Sequence, residues 1–500
     1  MKRAPRVLVV AFDAMDPDLA CQWAEKGELP ALAALRSRAL WGPTRNPDGF
    51  YVGGIWPSFN TAATPARHGQ YCWKQFDPAS YLDLDPPYDD GDAAPWWHSL
   101  DRAGREVAIV DLPRTIFAPE FRGLQVHDWG THDPLISGFL TSPPELAAEI
   151  LERYGSDPVG VCNELPRDEA RHCRELLARV SRRITLKREL ARELMARCDW
   201  DLFALGFADA HCIGHQCWHL HDATHPRHDP ELARQVGDPL LQVYRGLDLA
   251  IGELGAAAGP ETTLILLLSH GIGPHYDGDH LLDEALARIE RKRLGGRSLT
   301  LAERISYLVR AGSRARPPIA GRLRRWPARA FRRTFRVPNN EAFAGIRINL
   351  EGREPHGRIR PGAEFDAVCR TLARELLLLR NSSSGGPAFH RVERCDQLYP
   401  EGARLPLLPD LLAEWTRDAE FQALESPTIG RVEGRYRGVR TGDHRPRGLF
   451  LATGPGLTPD RVDTAVSVMD FGPTVAAHLG VALGDSDGQP IRELLSRAVH

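Results

Sequence analysis

The stretch that decides the fold class is VLVVAFDAMDPDL, residues 7–19. It opens with six apolar residues in a row and turns polar at Asp13. An apolar run of this length, without polar alternation, is typical of a strand that is buried on both faces of a parallel sheet. Four more runs have the same character, at residues 107–110, 202–207, 264–268 and 449–452.

Longer segments with helical spacing of apolar residues lie between these runs, such as residues 144–154 and 167–196. Strands that alternate with helices indicate an α/β fold, with a mostly parallel central sheet and helices on both faces. In such folds, ligands bind beyond the carboxyl ends of the strands. The residues that follow each strand are therefore the first candidates for a functional site.

Acidic and histidine side chains stand at several of these strand ends. Asp13 follows the first run, His270 follows the run at 264–268, and His444 precedes the last run. His211 and His215 follow the run at 202–207 and are four residues apart, so on a helix they share one face and can hold one metal ion. Imidazole nitrogen suits zinc and similar divalent metals.

The pair belongs to a histidine-rich stretch that has six histidines between residues 211 and 228. Surface or helix-capping histidines are the alternative interpretation, and for any single histidine it is the stronger one. For the pair, with two more histidines at other strand ends, metal binding is favoured. The other four are expected on the surface or along a substrate groove: His219, His221, His225 and His228.

Composition excludes several protein classes. Apolar residues make up 42% of the chain, too many for a disordered or fibrous protein. The formal net charge of −3 argues against a general nucleic-acid binder. Nine cysteines, an odd number without a CxxC pair, favour a reducing cytoplasm over a disulfide framework. The apolar runs are too short for a signal peptide or a membrane span, so we expect a cytoplasmic protein without a transmembrane segment.

Positive charge is concentrated in residues 288–336, which hold 16 basic residues and two acidic ones. Paired glycines and prolines exclude one long helix there, so the segment reads as an insertion into the α/β core. We therefore divide the chain into a first core part at 1–284, an Arg-rich cap subdomain at 285–395 and a second core part at 396–500. A solvated arm and a membrane-surface segment are the alternatives for the basic residues.

Six further segments carry a family resemblance. They are GELPALAALRSRALWG (27–42), IWPSFNTAATPARHG (55–69), DWDLFALGFADAHCIGHQCWH (199–219), LILLLSHG (264–271), TGDHRPRGLFLATGPG (441–456) and MDFGPTVAAHLG (469–480). With residues 7–19 they resemble, in the same order, the alkaline phosphatase superfamily and specifically its type I phosphodiesterase and nucleotide pyrophosphatase branch. The resemblance implies an alkaline phosphatase-like fold and metal-dependent hydrolysis of a phosphodiester or a related phosphate or sulfate ester.

The resemblance also implies a site for two zinc-like ions. The first ion maps to His211, His215 and His444, with His211 at a position where the family has aspartate. Three neutral nitrogen ligands and an open position suit a catalytic zinc ion. This site is less negative than the usual one, so a bound metal keeps more charge for an anionic substrate.

The second ion maps to Asp13 and His270, but the position of the family's second aspartate holds Ser269, which is a poor ligand. Asp209, Asp277 and Asp279 are alternatives for that role, and the sequence does not choose among them. We expect one or two divalent ions, with zinc first and manganese or iron as alternatives.

The position of the family's hydroxyl nucleophile holds Val52, which cannot form a covalent phosphoryl intermediate. Three alternatives stay open. The loop can shift and present Tyr51, the hydroxyl of Ser58 or Thr61 can take the role, or water activated by the metal can attack directly. Helix capping or packing is an equally good interpretation of Ser58.

Two residues are candidates for substrate binding: Trp56, which can stack on a base or sugar, and Lys74, which can bind a phosphate. A buried core role for Trp56 and a solvated charge at Lys74 are the alternatives. Because arginine pairs well with phosphate and sulfate, the basic cap predicts an anionic substrate, either a small molecule such as a nucleotide or sugar phosphate or a glycan or lipid. No specific nucleic-acid partner is expected, and the oligomeric state is left open.

Two other functions compete with ester hydrolysis. A degenerate member of the family would bind an anionic ligand or partner without turnover, which Ser269 and Val52 favour. A mutase would move a phosphoryl group, but it relies on the hydroxyl nucleophile that Val52 replaces.

Overall fold

The structure is a computed structural model that describes residues 5–86, 93–132, 134, 138–160, 168–295, 329–340 and 342–495. The strands in these ranges are β1 (Arg6–Phe12), β2 (Leu40–Arg45), β3 (Gln75–Asp77), β4 (Leu82–Leu84), β5 (Val107–Val110), β6 (Leu124–His127), β7 (Leu140–Ser142), β8 (Leu202–Phe207), β9 (Thr262–Leu268), β10 (Gly271–Pro274), β11 (Thr334–Val337), β12 (Phe343–Ile348), β13 (Arg380–Asn381), β14 (Phe389–Arg394), β15 (Leu411–Trp415), β16 (Ala423–Ser426), β17 (Gly430–Glu433), β18 (Gly442–Arg445), β19 (Gly448–Thr453), β20 (Asp460–Arg461) and β21 (Val466–Ser467).

The helices of the same ranges are α1 (Pro17–Glu25), α2 (Pro30–Arg36), α3 (Ile55–Thr61), α4 (Pro65–His68), α5 (Trp97–Arg102), α6 (Leu146–Tyr154), α7 (Glu169–Arg197), α8 (Asp209–His221), α9 (Pro230–Val236), α10 (Pro239–Ala258), α11 (Asp279–Arg293), α12 (Ala363–Leu377), α13 (Cys395–Leu398) and α14 (Phe471–His478). Three short 3-10 helices lie at Leu405–Leu407, Val468–Asp470 and Arg492–Leu494. The segments predicted as helical at 144–154 and 167–196 correspond to α6 and α7.

The centre of the fold is a ten-stranded sheet in the order β20-β2-β19-β9-β1-β8-β5-β6-β7, in which β21 also pairs with β2. β1 lies between β8 and β9 and runs parallel to both, with Phe12 level with Phe207 and Leu268. Two strands, β19 and β7, run antiparallel to their neighbours. The predicted α/β class is confirmed, and all five predicted runs are strands of this sheet.

Side chains of the central strands alternate between two apolar layers, which is why the runs contain no polar positions. Leu8 and Val10 of β1 pack in one layer with α1, α2, α7, α8 and α10. Val7 and Val9 pack in the other layer with α3, α5 and α14. Helices therefore cover both faces of the sheet, as the sequence predicts, and functional side chains are left to its edge.

A second unit interrupts the central fold between β10 and β18. It contains a four-stranded antiparallel sheet in the order β11-β12-β15-β14 and a three-stranded sheet in the order β13-β16-β17. α11 and α12 pack with these strands around an apolar core that extends from Leu281 to Val432. The predicted cap boundaries at 285 and 395 stay a prediction, and this core extends beyond both of them.

The chain leaves and re-enters the central fold at adjacent positions. β10 and β18 pair in antiparallel register, with Ile272 opposite His444. The second unit is thus connected through two hydrogen-bonded strands, and one of these strands carries a predicted site residue.

The predicted basic segment is only partly described, because residues 296–328 lie outside the described residues. On its described flanks, arginines form ion pairs with nearby acids. Arg332 pairs with Glu290 at 2.9 Å, and Arg333 pairs with Glu364 at 2.9 Å. Pairing of this kind reduces the charge that these arginines can offer to a ligand.

No helix among the residues described combines the length and the apolar character that crossing a bilayer requires.

Candidate metal centre

Strand ends and one helix bring five predicted site residues together. α8 follows β8 and carries His211 and His215 one turn apart, while His444 lies on β18. Asp13 directly follows β1, and His270 follows β9 after Ser269. Because β8, β1 and β9 are parallel neighbours, their carboxyl ends meet at one edge of the sheet. All five side chains are buried.

The Nε2 atoms of His211, His215 and His444 form a small triangle. The distance between these atoms is 3.3 Å for His211 and His215, 3.1 Å for His215 and His444, and 2.9 Å for His211 and His444. A tetrahedral zinc ion about 2.0–2.1 Å from each nitrogen would separate its ligands by about 3.3 Å. The triangle is close to the size that such an ion requires.

Hydrogen bonds on the far side of two rings turn their lone pairs toward the triangle. Nδ1 of His215 lies 2.7 Å from the carbonyl oxygen of Gly442, to which only an N–H can donate. Nδ1 of His444 lies 3.1 Å from Oδ1 of Asp443, a partner typical of metal-binding histidine. Each neutral ring therefore holds its proton on Nδ1, and the two facing Nε2 lone pairs repel unless a cation lies between them. The donor set fits a divalent metal.

Burial keeps two of these rings neutral. It lowers the pKa of His211 and of His215 well below the usual imidazole value, and the positive charge of Arg440 acts in the same direction. The neutral imidazole is the form that binds a metal. The pKa shifts therefore favour ligation over protonation at neutral pH.

Asp13 and His270 lie beside the triangle. The ring centres of His270 and His444 are 4.9 Å apart, and Nε2 of His270 lies 3.8 Å from Oδ1 of Asp13. The same oxygen accepts a hydrogen bond of 2.8 Å from the Trp56 indole. Burial raises the pKa of Asp13 and lowers that of His270 to about 4. The two residues predicted for the second ion thus lie next to the first group.

No third metal-ligating side chain groups with Asp13 and His270 in the part of the chain that the structure describes. The hydroxyl of Ser269 is fully buried and accepts a long backbone hydrogen bond of 3.4 Å. Asp209, one predicted substitute, is held in a buried ion pair with Arg183 at 2.8 Å.

The other two predicted substitutes also have different neighbours. Asp279 pairs with Arg336 at 2.5 Å, and Asp277 lies beside His275, with 3.0 Å between Oδ2 and Nε2. Asp277 and His275 group with Asp443 rather than with Asp13.

A comparison with known sequences identifies the family. The profile described as type I phosphodiesterase / nucleotide pyrophosphatase matches residues 7–442, which include the strand ends that carry Asp13, His211, His215 and His270. The chain belongs to the type I phosphodiesterase/nucleotide pyrophosphatase family. This family lies within the alkaline phosphatase superfamily. No curated protein matches the chain by sequence.

Several solved structures share the fold of this phosphodiesterase-family chain. Human ectonucleotide pyrophosphatase/phosphodiesterase 5 is 14% identical with a TM-score of 0.51, and the match covers 98% of this chain and 99% of that one. The murine protein in complex with AMP is 14% identical with a TM-score of 0.52, at 98% and 100% coverage. Phosphonoacetate hydrolase from Sinorhizobium meliloti 1021, in complex with phosphonoacetate, is 12% identical with a TM-score of 0.50, at 96% coverage of both chains.

The three nucleophile candidates of this phosphodiesterase-family chain have different surroundings. Tyr51 is buried beside the metal centre, where its hydroxyl donates to the backbone oxygen of His444 at 3.3 Å. Thr61 donates to the backbone oxygen of Pro57 at 2.7 Å, within α3. Ser58 is fully buried and forms a hydrogen bond with His68. Of the three, Tyr51 is the one that contacts a predicted ligand.

Ser58 and His68 form a buried pair that resembles a catalytic dyad, but the hydrogen bond between them runs in the opposite direction. Oγ of Ser58 lies 2.9 Å from Nε2 of His68. The Gln70 backbone N–H donates to Nδ1 of the same ring at 3.1 Å, so the ring proton of neutral His68 is on Nε2. Burial lowers the pKa of His68 to about 3. The ring therefore donates to Ser58 and cannot accept its proton through Nε2.

The predicted substrate-binding residues have partners within the protein. Trp56 is buried and donates to Asp13, so it holds a predicted metal ligand. Lys74 forms an ion pair with Asp85 and remains partly exposed. Both substrate roles stay predictions.

Sequence reasoning missed Arg417, which is buried and donates from Nη1 to the backbone oxygen of His444. Its φ is 53°, in the left-handed region that non-glycine residues rarely adopt. Arg417 also pairs with Tyr51, and burial raises the pKa of that phenol. No sequence signal marks this residue, because it reaches the site from the second unit.

A second missed residue, His132, lies against the first ligand of α8. Its ring centre is 4.0 Å from that of His211, and its Nδ1 lies 3.5 Å from Sγ of Cys212. No other histidine lies three or four residues from His132, and it does not follow one of the five apolar runs, so neither helical spacing nor a strand end identifies it.

Proposed function

We propose that this chain is a metal-dependent hydrolase that cleaves a phosphodiester or a related phosphate or sulfate ester in an anionic substrate. The observation that carries the proposal is the Nε2 triangle of His211, His215 and His444. The proposed ion is zinc, with manganese or iron as alternatives, because the donors are three imidazole nitrogens.

When bound, a divalent ion in this triangle polarises an ester oxygen and lowers the pKa of water. The protein groups around it have separate roles. Asp443 and the Gly442 carbonyl fix the orientation of two of the imidazoles, as partners of metal-binding histidine usually do. The buried carboxyl of Asp13 and the ring of His270 are proposed to hold a second ion or to orient the attacking water.

Positive side chains support an anionic substrate. Burial, followed by the nearby positive charge of Arg417, lowers the pKa of Arg445. Arg440 acts on His211 and His215. The relatives of known structure were solved with AMP and with phosphonoacetate, both small anions. A small anionic substrate is therefore the proposed class.

We favour direct attack by water over a covalent intermediate. Val52 has no hydroxyl, Thr61 is hydrogen-bonded within its helix, and Ser58 accepts a hydrogen bond from His68, which therefore cannot act as its base through Nε2. Tyr51 is near the centre, but burial raises the pKa of its phenol, which makes the reactive phenolate costly to form.

Metal analysis together with an ester assay tests the proposal. The purified protein is expected to hold at least one equivalent of zinc, manganese or iron and to hydrolyse bis-p-nitrophenyl phosphate. His211→Ala should lose both the ion of the triangle and the activity. His221→Ala is the matched control, since His221 is on the same helix but pairs with Asp238. A protein with no bound metal and no turnover of any phosphate or sulfate ester would instead be a binding member of the family.

A phosphoryl mutase remains the other enzymatic alternative. It requires a hydroxyl that carries the phosphoryl group between two positions, and the residue at the family's nucleophile position is Val52. Conversion of a phosphosugar without release of phosphate would favour the mutase over the hydrolase.

The cytoplasm is the proposed compartment, on the strength of the odd cysteine count and the absence of a CxxC pair. Cell fractionation followed by immunodetection tests it, and recovery outside the cytoplasmic fraction would contradict it.

A further inference from the structure

A buried cluster of His275, Asp277 and Asp443 lies behind His444, and the proposed hydrolysis gives no role to His275 or Asp277. Each of the three can place one ligand atom within 4.8 Å of the ligand atoms of the other two. Nε2 of His275 lies 3.0 Å from Oδ2 of Asp277, and Nδ1 of His275 lies 3.7 Å from Oδ2 of Asp443. The first distance is close to the separation of about 3.0 Å between adjacent ligands of an octahedral ion whose bonds are about 2.1 Å long.

The burial and the hydrogen bonding of the two carboxylates point to a bound cation. Both side chains are almost completely buried. Oδ2 of Asp443 has no hydrogen-bond partner among the described residues, and Oδ2 of Asp277 has the His275 ring beside it at 3.0 Å. A buried carboxylate oxygen that lacks a donor costs free energy unless a positive charge lies next to it. Both oxygens border the same small volume, together with the imidazole of His275.

Asp443 connects this cluster to the metal centre. Its Oδ1 accepts hydrogen bonds from the backbone N–H of His444 at 2.8 Å and from the ring Nδ1 of His444 at 3.1 Å. Its Oδ2 is turned the other way, toward His275. One carboxylate therefore orients a ligand of the triangle with one oxygen and is available as a ligand with the other.

We propose that His275, Asp277 and Asp443 bind a second divalent cation, separate from the positions of Asp13 and His270. The donor set of two carboxylates and one imidazole neutralises a doubly charged ion, and water completes the coordination. Carboxylate oxygen suits manganese and magnesium, whereas imidazole nitrogen suits zinc. This site therefore prefers manganese over zinc more strongly than the triangle does.

An open cavity lies on the far side of Tyr436 from the cluster. The ring of Tyr436 packs on the His275 imidazole, with ring centres 4.3 Å apart. Tyr436 also lines an open cavity of about 530 Å³, whose wall includes Glu420 and Glu433. An ion that enters this cavity is therefore one side chain away from the proposed ligands.

The alternative arrangement is a protonated His275 between two carboxylates, with no metal. Counting ions distinguishes the two. The full chain is stripped with a chelator, incubated with one equivalent of zinc and an excess of manganese, and freed of unbound metal before both elements are measured. With Asp13 and His270 orienting water, we expect two equivalents of metal per chain, one in the triangle and one in the cluster. The count should fall to one in Asp277→Asn and in His275→Gln. Asp279→Asn, which removes a neighbouring acid that pairs with Arg336, should retain two.

Two further variants test which residues bind the second ion. Asp13→Asn should retain two equivalents, and His211→Ala should lose the ion of the triangle but keep the manganese. One equivalent in the unmodified protein, two in both cluster variants, or loss of manganese in Asp13→Asn alone would each overturn the proposal. If both cluster variants fail to fold, pulsed EPR of manganese in the unmodified protein decides, since one nitrogen ligand is expected here and three in the triangle. This count does not depend on ester hydrolysis, so an inactive protein with two ions would contradict only the proposed function.

Discussion

Nε2 of His215 and Nε2 of His444 lie 3.1 Å apart, although the ring protons of both residues are held on the opposite nitrogen. Two acceptor nitrogens adopt this arrangement when a cation is shared between them. Hydrogen bonds to the Gly442 carbonyl and the Asp443 carboxylate therefore orient the two lone pairs before the ion binds. Preparation of this kind lowers the entropy cost of binding, as it does for other rigid sites.

Replacement of Arg417 should weaken turnover without removing the metal. Arg417→Ala takes away a buried guanidinium that donates to the His444 backbone and stands beside Tyr51. We expect kcat/KM for an anionic diester to fall about ten- to a hundredfold, the loss of one charged hydrogen bond, while the metal content is unchanged.

Arg447→Ala is the control for this prediction, because Arg447 is exposed and pairs with Asp18. Arg417→Lys should recover part of the lost activity, since it restores the charge but not the planar fork. An Arg417→Ala protein with full activity would show that the guanidinium has only a structural role.

The stereochemical course at phosphorus tests direct attack by water. Hydrolysis of a chiral thiophosphate diester in isotopically labelled water should proceed with inversion, because there is a single displacement. Tyr51→Phe should keep activity within about tenfold, since it loses one hydrogen bond to the His444 carbonyl. Retention of configuration would instead establish a covalent intermediate, and a loss of more than about a thousandfold in Tyr51→Phe would assign it to that phenol.

Stability should fall in acid partly because of His68. Its pKa is lowered to about 3 by burial, while the unfolded chain has the ordinary value of about 6.5. Between these values the unfolded state binds one more proton, so the free energy of unfolding decreases as pH falls through this range. His68 contributes a slope of about 1.4 kcal/mol per pH unit.

His68→Gln should reduce that slope by this amount between pH 6 and pH 4, measured by urea unfolding at several pH values. The absolute stability of the variant at pH 7 is a separate quantity, because the hydrogen bond to Ser58 also changes. Equal slopes in the two proteins would mean that His68 becomes protonated in the folded state.

Loss of one partner from a buried ion pair between α7 and the residue after β5 should strongly destabilise the central fold. Nζ of Lys187 lies 2.9 Å from Oδ2 of Asp111, and both side chains are fully buried. Lys187→Met leaves the Asp111 carboxylate without its counter-charge, which should cost about 3–5 kcal/mol in the free energy of unfolding. Arg36→Met breaks an exposed pair with Glu25 and should cost at most about 1 kcal/mol. Denaturant titrations of both variants provide the comparison.

The central sheet could be predicted because buried parallel strands carry their signature in a few adjacent residues. The runs at 7–12 and 264–268 are apolar at every position, since both faces of β1 and β9 are covered. Strand direction has no such local signature. β19 has the same apolar character but runs antiparallel, because the chain reaches it from β18 and not from a crossover helix.

The candidate site could be predicted where its residues follow strands and not where distant segments meet. Asp13 and His270 were found at strand ends, and His211 with His215 by their spacing. The group of His275 and Asp443 depends on the pairing of β10 with β18, which joins segments far apart in the sequence. The pairing of Arg333 on the flank of the basic segment has a similar cause, since its partner Glu364 lies outside the segment.

The pairing of β10 with β18 also separates the architecture of the second unit from the geometry of the metal centre. The position of His444 is set by the strand opposite it and by α8, which lie outside the core between Leu281 and Val432, and Arg417 adds one hydrogen bond from the second unit to the His444 backbone. The two ends of that unit emerge a single strand spacing apart. Whole modules of different length could therefore be exchanged at this junction during evolution, and selectivity for new substrates acquired, while the three imidazoles stay in place.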